Sequence, residues 1–411
     1  MKLMKYLTGG LLTLALVSAV HADTTRITGS TAFRGASSTA ITNIFDAGTV
    51  QYAYIDNSSG NATLTTSSAA YFTGTVNGVA TTIKTHWTGS EGGIQTVAGA
   101  PAFTVTYLPD GTTVLPPPGN KLPANTALSD ASVPDVALSD VFQASSKFKA
   151  GTFQGKTYQA LNQSTTTAGL PAGQIVGVVQ FKFVASNSAP ASLTNITSQN
   201  ARDLFSTGKM ALSMYTGNNA DEGFTIYATG RDFDSGTRLT ALAEIGLGPQ
   251  ATVKQYQPKK GGVLATTCCG TLDGPPFTIW PAGSVNGVPW KIGNGGYNSG
   301  GDLANGLANA TNGNTCFITY LGLGDATTAI GNGAHELHFN GITYSQTAVQ
   351  EGQYTFWGYE HLYYRDSTPS SIKTIADKLA LQIFNTDAPA PHYNDMRVNR
   401  TIDGGTVTQV F

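Results

Sequence analysis

Short runs of residues typical of β-strands alternate with helical runs along this chain, and that alternation limits the folds open to it. The strand candidates span residues 51–55, 103–108, 175–185, 224–228 and 315–321. The helix candidates span residues 31–45, 197–206, 235–245, 302–310 and 370–384. The last of these has Ile372, Ile375, Ala376, Leu379 and Ile383 at amphipathic spacing. Strands that alternate with helices in this way predict an α/β fold.

The N-terminus has the three parts of a secretory signal peptide. Lys2 and Lys5 supply the positive region, residues 7–17 form a compact apolar run, and a cleavage site of small or tolerated residues follows. This predicts a signal peptide over residues 1–22 and a mature chain of about 390 residues from Asp23. No cysteine follows the apolar run, so we expect no lipid anchor. No run of about 20 apolar residues follows later in the sequence, so we expect no membrane insertion. Together these features predict a periplasmic or secreted protein.

Charge is scarce in this sequence. Charged residues make up 12% of the chain, and the formal net charge is −2 at pH 7. A chain so weakly charged, with both signs mixed, lacks the basic surface that attracts nucleic acids and anionic membranes. We therefore expect neither as a partner. If this chain binds an anion, local dipoles and a few placed side chains have to hold it.

Three cysteines, Cys268, Cys269 and Cys316, are an odd number for an oxidising compartment. The sequence leaves open a bridge from Cys268 or Cys269 to Cys316, or a strained bridge between the two adjacent cysteines. Of these we take Cys269 with Cys316 as the candidate disulfide. No second pair with Cys-x-x-Cys spacing accompanies them, so they do not predict a metal site.

Two stretches are expected to decorate the core rather than to form it. Residues 109–131 contain the turn-forming run PPPG at 116–119 and show little periodicity, which predicts a surface loop or hairpin. Residues 254–296 are rich in glycine and proline and include the adjacent cysteines, which indicates an insertion.

Four separated motifs of small and polar residues follow strand candidates or precede helix candidates. They cover residues 28–33 (TGSTAF), 88–94 (TGSEGGI), 136–141 (VALSDV) and 231–238 (RDFDSGTR). The first two combine hydroxyl groups with glycine at a helix start, where free backbone amides and the helix dipole attract anions. The third ends an apolar strand in a Ser-Asp pair. The fourth adds a guanidinium group to hydroxyls and glycine amides before a helix.

Each motif by itself has an ordinary structural interpretation. Gly-Ser-Thr before a helix is usually an N-cap, and Ser-Asp after a strand is usually a turn. An arginine in a loop is usually solvated or paired. The four motifs together, in this order along the chain, favour an anion-binding site.

The chain lacks the signatures of an enzyme. Residues 335–338 (HELH) form the only histidine cluster, and they have neither the i, i+4 spacing nor the helical context of a metalloprotease site. No Gly-x-Ser-x-Gly elbow, phosphate-binding loop or dinucleotide motif is present, and Ser90 has no evident histidine partner. We therefore expect no catalytic residues, no cofactor and no metal, and a surface strand at residues 335–338.

In this order the four motifs resemble those of the substrate-binding proteins of phosphate ABC transporters. The family's segments are Thr-Gly-x-Gly-x-Thr-Phe, Gly-Ser-x-Gly-Gly, Ala-Ser-Asp and Arg-x-x-x-Ser-Gly-Thr. Residues 193–209 are similar to the family's helix that leads into Phe-Ser-Gly-Lys, residues 318–323 to its Ile-Gly-Tyr-Val strand, and residues 350–357 to its Asn-Gly-x-Tyr-Pro segment. The resemblance implies the type II periplasmic-binding fold, in which two α/β lobes enclose a ligand cleft.

The resemblance also implies which groups contact the ligand. From the first three motifs these are Ser30, Thr31, Ala32, Ser90 and Asp140, and from the fourth they are Arg231, Ser235, Gly236 and Thr237. Asp140 matches the family's carboxylate acceptor, and a buried carboxylate repels an oxyanion unless the oxyanion brings a proton to donate. Protonated phosphate meets that condition and sulfate does not. The chain departs from the family at Glu91, where a small residue is common, and at Phe233, where some members have a second Asp beside the Arg.

The resemblance further implies that residues 23–177 and 354–411 form one lobe and residues 178–353 the other, with the insertion at about 254–296 in the second. It implies a monomer that binds inorganic phosphate and delivers it to an ABC-type permease. Two alternatives remain open. One is a surface, matrix or sensing protein with the same fold, and the other is a different oxyanion, such as sulfate, tungstate or a phosphonate.

Overall fold

The computed structural model describes residues 23–162, 167–258, 278–308 and 315–410. The predicted signal peptide and the cysteines Cys268 and Cys269 lie outside the described residues, so the disulfide to Cys316 stays a prediction. Cys316 itself is buried, and burial raises the pKa of its thiol to about 12.

The helices are α1 (Arg34–Ile44), α2 (Ser90–Ala98), α3 (Ser198–Thr207), α4 (Ser213–Thr216), α5 (Gly236–Glu244), α6 (Gly300–Ala308), α7 (Leu323–Gly331), α8 (Gln346–Gln350) and α9 (Ser370–Gln382). The first strands are β1 (Thr25–Gly29), β2 (Gln51–Ile55), β3 (Ala69–Val76), β4 (Val79–His86), β5 (Gly99–Ala100), β6 (Val105–Tyr107), β7 (Asn120–Leu122), β8 (Asp130–Ser132), β9 (Val136–Ser139), β10 (Gly151–Phe153) and β11 (Lys156–Tyr158). The later strands are β12 (Ile175–Ala185), β13 (Asn195–Ile196), β14 (Lys209–Ala211), β15 (Thr225–Ala228), β16 (Tyr256–Gln257), β17 (Thr278–Ile279), β18 (Gly283–Val285), β19 (Val288–Trp290), β20 (Thr315–Gly322), β21 (His335–Phe339), β22 (Trp357–Tyr364), β23 (Val398–Asn399) and β24 (Thr408–Gln409).

One large sheet organises the described part of the chain. It has thirteen strands, most of them in the order β14-β15-β20-β12-β22-β9-β1-β4-β3-β2-β7, with β13 and β21 joined beside β12. β1 runs parallel to β4 and β9, and β15 runs parallel to β20, whereas β12 and β22 are antiparallel to their neighbours. Helices α2, α5, α6 and α7 pack against its strands. The predicted α/β fold class is confirmed.

Strands β12 and β22 connect two groups of strands in this sheet. Residues 175–180 of β12 pair with β22, whereas residues 181–185 pair with β20 and β21. The chain therefore leaves the strands around β1 through β12, adds β14, β15 and β20 beyond it, and returns through β22 to pair with β9. After this return, α9 packs against α1. The chain thus crosses between the two groups of strands twice. The boundaries of the two predicted lobes stay a prediction.

The sequences of β12 and β22 explain why they lie at the centre of the sheet. β12 reads IVGVVQFKFVA, a nearly continuous apolar run of the kind found in strands covered on both faces. The rings of Phe181 and Phe183 both pack on the ring of Phe356, at centroid distances of 5.2 and 4.8 Å. Every residue of β22 is buried, including Glu360 and His361.

Side-chain caps explain where several helices begin. Thr197 accepts a hydrogen bond from the N–H of Asn200 at 3.1 Å, and Ser235 accepts one from the N–H of Arg238 at 3.2 Å. Gly208, with φ +88°, ends α3 in the left-handed conformation that favours glycine. The five predicted helices are all present, and each begins and ends within three residues of its predicted bounds.

The two predicted insertions behave differently. Within residues 109–131, the short strand β7 extends the sheet edge beside β2, and β8 pairs with β6. The expectation that residues 254–296 only decorate the core is wrong for the C-terminal part of that stretch. Val288 is fully buried, and Trp290 stacks on the ring of Phe233 at 5.7 Å. These apolar side chains cover the core because the hairpin β18–β19 folds back onto the fourth motif.

Residues 335–338 lie in β21, so the predicted strand is confirmed. Glu336 on this strand forms an ion pair with Lys182 of β12 at 2.7 Å. Across the described residues, none of the helices combines the length and the hydropathy that a membrane span requires.

Candidate functional site

The first and third motifs meet because β1 and β9 are parallel neighbours whose carboxyl ends lie at the same edge of the sheet. Gly29 adopts φ +112°, and the N–H of Ser30 donates to the carbonyl oxygen of Leu138 at 2.8 Å. A Cβ atom on Gly29 would lie 2.0 Å from that oxygen. The turn therefore needs glycine, and it places Ser30 beside the end of β9.

The second motif reaches the same edge through α2. Gly93 packs so closely on Gly29 that a Cβ atom on Gly93 would lie 2.7 Å from the Cα atom of Gly29. This approach brings the first residue of α2, Ser90, next to the end of β9. The N–H of Asp140 donates to the Ser90 hydroxyl oxygen at 3.2 Å. Both residues are almost completely buried.

The fourth motif supplies a buried cation. Nη2 of Arg231 donates to the hydroxyl of Thr31 at 3.3 Å and to the carbonyl oxygen of Asn298 at 2.8 Å, and Nε donates to the carbonyl oxygen of Tyr297 at 3.1 Å. Arg231 is 2% exposed. Among the described residues, no carboxylate lies within ion-pair distance of its guanidinium group. Asp140, Asp232 and Asp325 interact with its charge from beyond that distance, and its hydrogen bonds go to neutral groups. A buried cation that lacks a direct ion pair favours an anion as its further partner.

The start of α5 faces the carboxyl group of Asp140. Ser235 caps this helix, and the Thr237 hydroxyl donates to Oδ2 of Asp140 at 3.2 Å. Gly236 approaches so closely that a Cβ atom there would lie 1.7 Å from Oδ1 of Asp140 and 2.7 Å from Cβ of Ser90. The fourth motif is thus in direct contact with the second and the third.

Asp140 is a buried acid with one unused oxygen. It is 1% exposed, and Oδ1 has no hydrogen-bond partner within the described part of the chain. Burial raises the pKa of Asp140, whereas Ser90, the charge of Arg231 and Thr237 lower it in part. An unused acceptor in such a place is costly, because burial has removed its water.

The turn before α1 completes the group of predicted residues. The N–H of Phe33 donates to the Ser30 hydroxyl oxygen at 3.3 Å. Thr31 and Ala32 are half-buried, and Thr31 contacts Arg231 as described above. All nine predicted binding residues therefore lie where the ends of β1 and β9 meet the N-termini of α1, α2 and α5. Their contact with a ligand stays a prediction.

Glu91 and Phe233, the two departures from the family motifs, are linked through Lys147. Lys147 Nζ lies 3.6 Å from a carboxylate oxygen of Glu91 and donates to the carbonyl oxygen of Phe233 at 3.2 Å. The same ammonium group lies 3.9 Å from the centroid of the Phe233 ring. The amides of Glu91 and Gly92 donate to the carbonyl oxygen of Asp234 at 3.0 and 3.4 Å. These two amides therefore hold the fourth motif in place.

Arg238 is a second buried guanidinium that the sequence did not single out for a role. Its Nη1 donates to the carbonyl oxygens of Asn294 at 2.7 Å and of Arg231 at 3.4 Å, and its Nη2 donates to Oδ1 of Asn294. The end of the glycine-rich insertion thus braces the loop that carries Arg231. No local pattern could have predicted this contact, because the two segments lie 56 residues apart.

Glu360 is the other residue that sequence reasoning missed. It lies in β22, is 0% exposed, and neither carboxyl oxygen has a hydrogen-bond partner among the described residues. Burial and then the charge of Asp140 raise the pKa of Glu360 well above its ordinary value, and the nearby Ser30 hydroxyl lowers it in part. The available signal was a single acidic residue inside an otherwise apolar and aromatic strand candidate, WGYEHLYY.

Asp403 is a third buried acid close to Asp140. Its Oδ2 accepts the N–H of Phe142 at 2.9 Å, whereas Oδ1 has no partner in the described part of the chain. Burial, with a smaller contribution from the charge of Asp140, raises the pKa of Asp403 to about 7. The described residues include no group of three or more His, Cys, Asp or Glu side chains that could hold a metal ion.

Comparison with known proteins found similar solved structures. No protein-family model and no curated protein matches the chain. A candidate phosphate ABC transporter substrate-binding protein with bound phosphate from Clostridium perfringens is 11% identical, with a TM-score of 0.42 over 89% of this chain and 98% of that one. PstS from Borrelia burgdorferi is 13% identical, with a TM-score of 0.36 over 87% and 92%. An ABC-type phosphate transport receptor from Vibrio cholerae is 11% identical, with a TM-score of 0.32 over 60% and 74%.

These three structures are phosphate-binding or phosphate-transport proteins by name, the kind of protein that the four motifs resemble. Identities of 11–13% and TM-scores of 0.32–0.42 do not by themselves establish a common function. The function of this chain therefore has to follow from the geometry of its own site.

The substitution Gly236→Ala should destabilise the protein, because its Cβ atom would overlap the carboxyl group of Asp140. We expect the free energy of unfolding to fall by about 1–3 kcal/mol, as for other overpacked buried sites. Gly324→Ala is the matched control, since no atom lies within 4 Å of its new Cβ atom. Urea unfolding followed by circular dichroism measures both, and equal stability of the two variants would contradict the close contact.

The substitution Asp403→Asn should make stability less dependent on pH. The pKa of Asp403 is raised from 3.8 to about 7, so the folded chain keeps a proton that the unfolded chain has lost. This contribution is complete below about pH 4 and is lost as the pH rises to about 7, with a slope of at most about 1.4 kcal/mol per pH unit. Urea unfolding at several pH values should show a flatter slope for the variant than for the wild type. Identical slopes would show that Asp403 does not cause this dependence.

Proposed function

We propose that this chain is an extracytoplasmic solute-binding protein that grips phosphate and delivers it to an ABC-type permease. One observation carries the proposal. The buried guanidinium of Arg231 and the unused carboxyl oxygen of Asp140 come from separate motifs and meet at the N-termini of α1, α2 and α5. A buried cation with no carboxylate at ion-pair distance attracts an oxyanion, and an acceptor without a donor needs a hydroxyl.

The donors in this proposal are of several kinds. The hydroxyls of Ser30, Thr31, Ser90 and Thr237 lie around the site, and the dipoles of the three helices point their positive ends toward it. The guanidinium of Arg231 is the strongest single donor. Such a set needs no basic surface, which agrees with a chain whose net charge is only −2.

Asp140 makes the proposed site selective among oxyanions. Its carboxylate can accept a hydrogen bond from a protonated phosphate oxygen, whereas sulfate has no proton to offer at neutral pH. Binding sulfate would place two acceptors in contact inside a buried site. The cost of one unsatisfied buried group is about 1–3 kcal/mol and rises for charged groups, which is enough to discriminate between the two anions.

Ligand entry requires the two groups of strands to separate. The contacts that hold them together include the bonds from the amides of Glu91 and Gly92 to Asp234 and the bond from Thr237 to Asp140. Strands β12 and β22 connect the two groups and are the natural hinge for such a motion. We infer that phosphate binds to one side first, and that closure brings Arg231 and Thr237 onto it. The predicted signal peptide places this activity in the periplasm or outside the cell, and a permease completes the release.

The proposal is tested by titrating the purified protein with phosphate, arsenate, sulfate and tungstate in a calorimeter. Phosphate should bind tightly and raise the melting temperature, whereas sulfate should bind at least about a hundredfold more weakly. In Asp140→Asn this discrimination should shrink, because an amide can donate to sulfate. A wild-type protein that gives neither heat nor a thermal shift with phosphate would favour a surface or sensing role instead.

The substitution Arg231→Ala should weaken phosphate binding by about 2–5 kcal/mol, the usual cost of losing one partner of a buried charged contact. Arg397→Ala is the control, because the Arg397 side chain is 72% exposed and forms a surface ion pair with Glu351 at 3.2 Å. Calorimetric titration of both variants gives the dissociation constants, after circular dichroism has established that each is folded. Near-normal affinity in Arg231→Ala would remove this residue from the site.

A further inference from the structure

Glu360 occupies a position where a charged residue needs a specific partner. It lies in the middle of β22, opposite Gly177 of β12, and the next residue, His361, pairs with Ser139 of β9. β22 is covered on both sides and along its whole length. Glu360 therefore has no route to solvent, and its hydrogen-bonding needs have to be met inside the protein.

Those needs are not met by the described residues. Neither carboxyl oxygen of Glu360 has a hydrogen-bond partner at normal distance there, and the one described hydroxyl that acts on it, that of Ser30, offsets the effect of burial only in part. Two other glutamates show the usual solution: the partly buried Glu244 receives the guanidinium of Arg400 at 2.9 Å, and the buried Glu91 lies 3.6 Å from the ammonium of Lys147. No cation of the described chain acts on Glu360 in this way.

The side chain of Glu360 faces the proposed phosphate site. Gly358 lies two residues earlier on the same face of β22. A Cβ atom on Gly358 would lie 3.3 Å from the backbone carbonyl oxygen of Asp140. The carboxyl group of Glu360 interacts electrostatically with Asp140 and lies near the Ser30 hydroxyl. Both of these residues belong to the site proposed above.

Three ionisable side chains lie in the region around Glu360. Asp140 faces it from the end of β9, and the hydroxyl of Tyr363 lies within electrostatic reach on β22 itself. Asp403 lies beyond Gly358, and the charge of Asp140 acts on its pKa. Among the described residues, Arg231 acts on Asp140 and Arg400 acts on Asp403, whereas no cation acts on Glu360 itself. The immediate surroundings of Glu360 are therefore acidic or neutral.

We propose that Glu360 is a second acceptor for the ligand, so that the site selects oxyanions that carry two hydroxyl groups. This inference rests on the proposed function. Dihydrogen phosphate has two hydroxyls, one for the unused oxygen of Asp140 and one for Glu360. Hydrogen phosphate has one hydroxyl and sulfate has none, so each leaves at least one carboxylate facing a bare anionic oxygen.

Two consequences follow from this pairing. Oxyanions with one hydroxyl, such as phosphite and methylphosphonate, should bind less well than phosphate and arsenate, although they are similar in size and charge. Affinity for phosphate should also fall as the pH rises through the second ionisation of phosphate, because the complex keeps a proton that the free ligand loses.

The test compares wild type, Glu360→Gln and the control Glu336→Gln, which makes the same change in a surface ion pair of β21. Each protein is titrated in the calorimeter with phosphate, arsenate, phosphite, methylphosphonate and sulfate near pH 6. In wild type and in the control, phosphate and arsenate should bind at least about tenfold more tightly than phosphite and methylphosphonate. In Glu360→Gln this ratio should fall by about tenfold, because the amide can donate to an oxygen that has no proton. Phosphate titrations from about pH 5 to about pH 8 should show a weaker loss of affinity in this variant.

The outcomes separate the two proposals. If wild type binds phosphate but binds phosphite equally well, the second acceptor is excluded while the proposed function stands. The same holds if Glu360→Gln keeps the wild-type ratio and pH dependence. If wild type binds none of these anions, the proposed function fails and this inference fails with it. The comparison of phosphate with phosphite on the wild type needs no variant, so it decides the matter even if Glu360→Gln does not fold.

Discussion

The close approach of Gly236 to the carboxyl group of Asp140 is the contact on which the site depends. It is possible only because position 236 has no side chain, and it seats the start of α5 directly on the end of β9. Thr237 then reaches Oδ2 of Asp140, and Arg231, a few residues earlier, reaches Thr31. One glycine contact thereby joins elements that are far apart in the sequence, and it buries an acid whose remaining oxygen has no partner among the described residues.

Two residues near this contact differ from the motifs of the family that the sequence resembles. Glu91 and Phe233 depart from those motifs, but both contact Lys147, and together they fix the fourth motif against α2. The loop is braced from its other side by Arg238 and Asn294. The two departures are therefore coupled to one another through Lys147.

A surplus of buried acid distinguishes this site from a simple anion cradle. Asp140, Glu360 and Asp403 lie close enough for Asp140 to act on the pKa of each of the other two, and burial raises all three pKa values. Arg231 and Arg400 offset the effect of burial on Asp140 and Asp403 only in part, and buried carboxyl groups of this kind favour protons in their surroundings. An oxyanion that brings its own protons fits such a site better than one without them, which links the choice of ligand to pH.

The sequence by itself determined the elements and the candidate residues. Alternating strand and helix patterns predicted the α/β class, and the bounds of five helices followed from periodicity and caps such as Ser235, because these signals are local. The resemblance of four short motifs to a known family implied the nine candidate residues, and the structure brings all nine together. Only the tertiary structure decided that Glu360 faces Asp140, that Lys147 links Glu91 to Phe233, and that Asn294 holds Arg238. Those contacts join distant segments, and their energies depend on burial and charge, which no local pattern records.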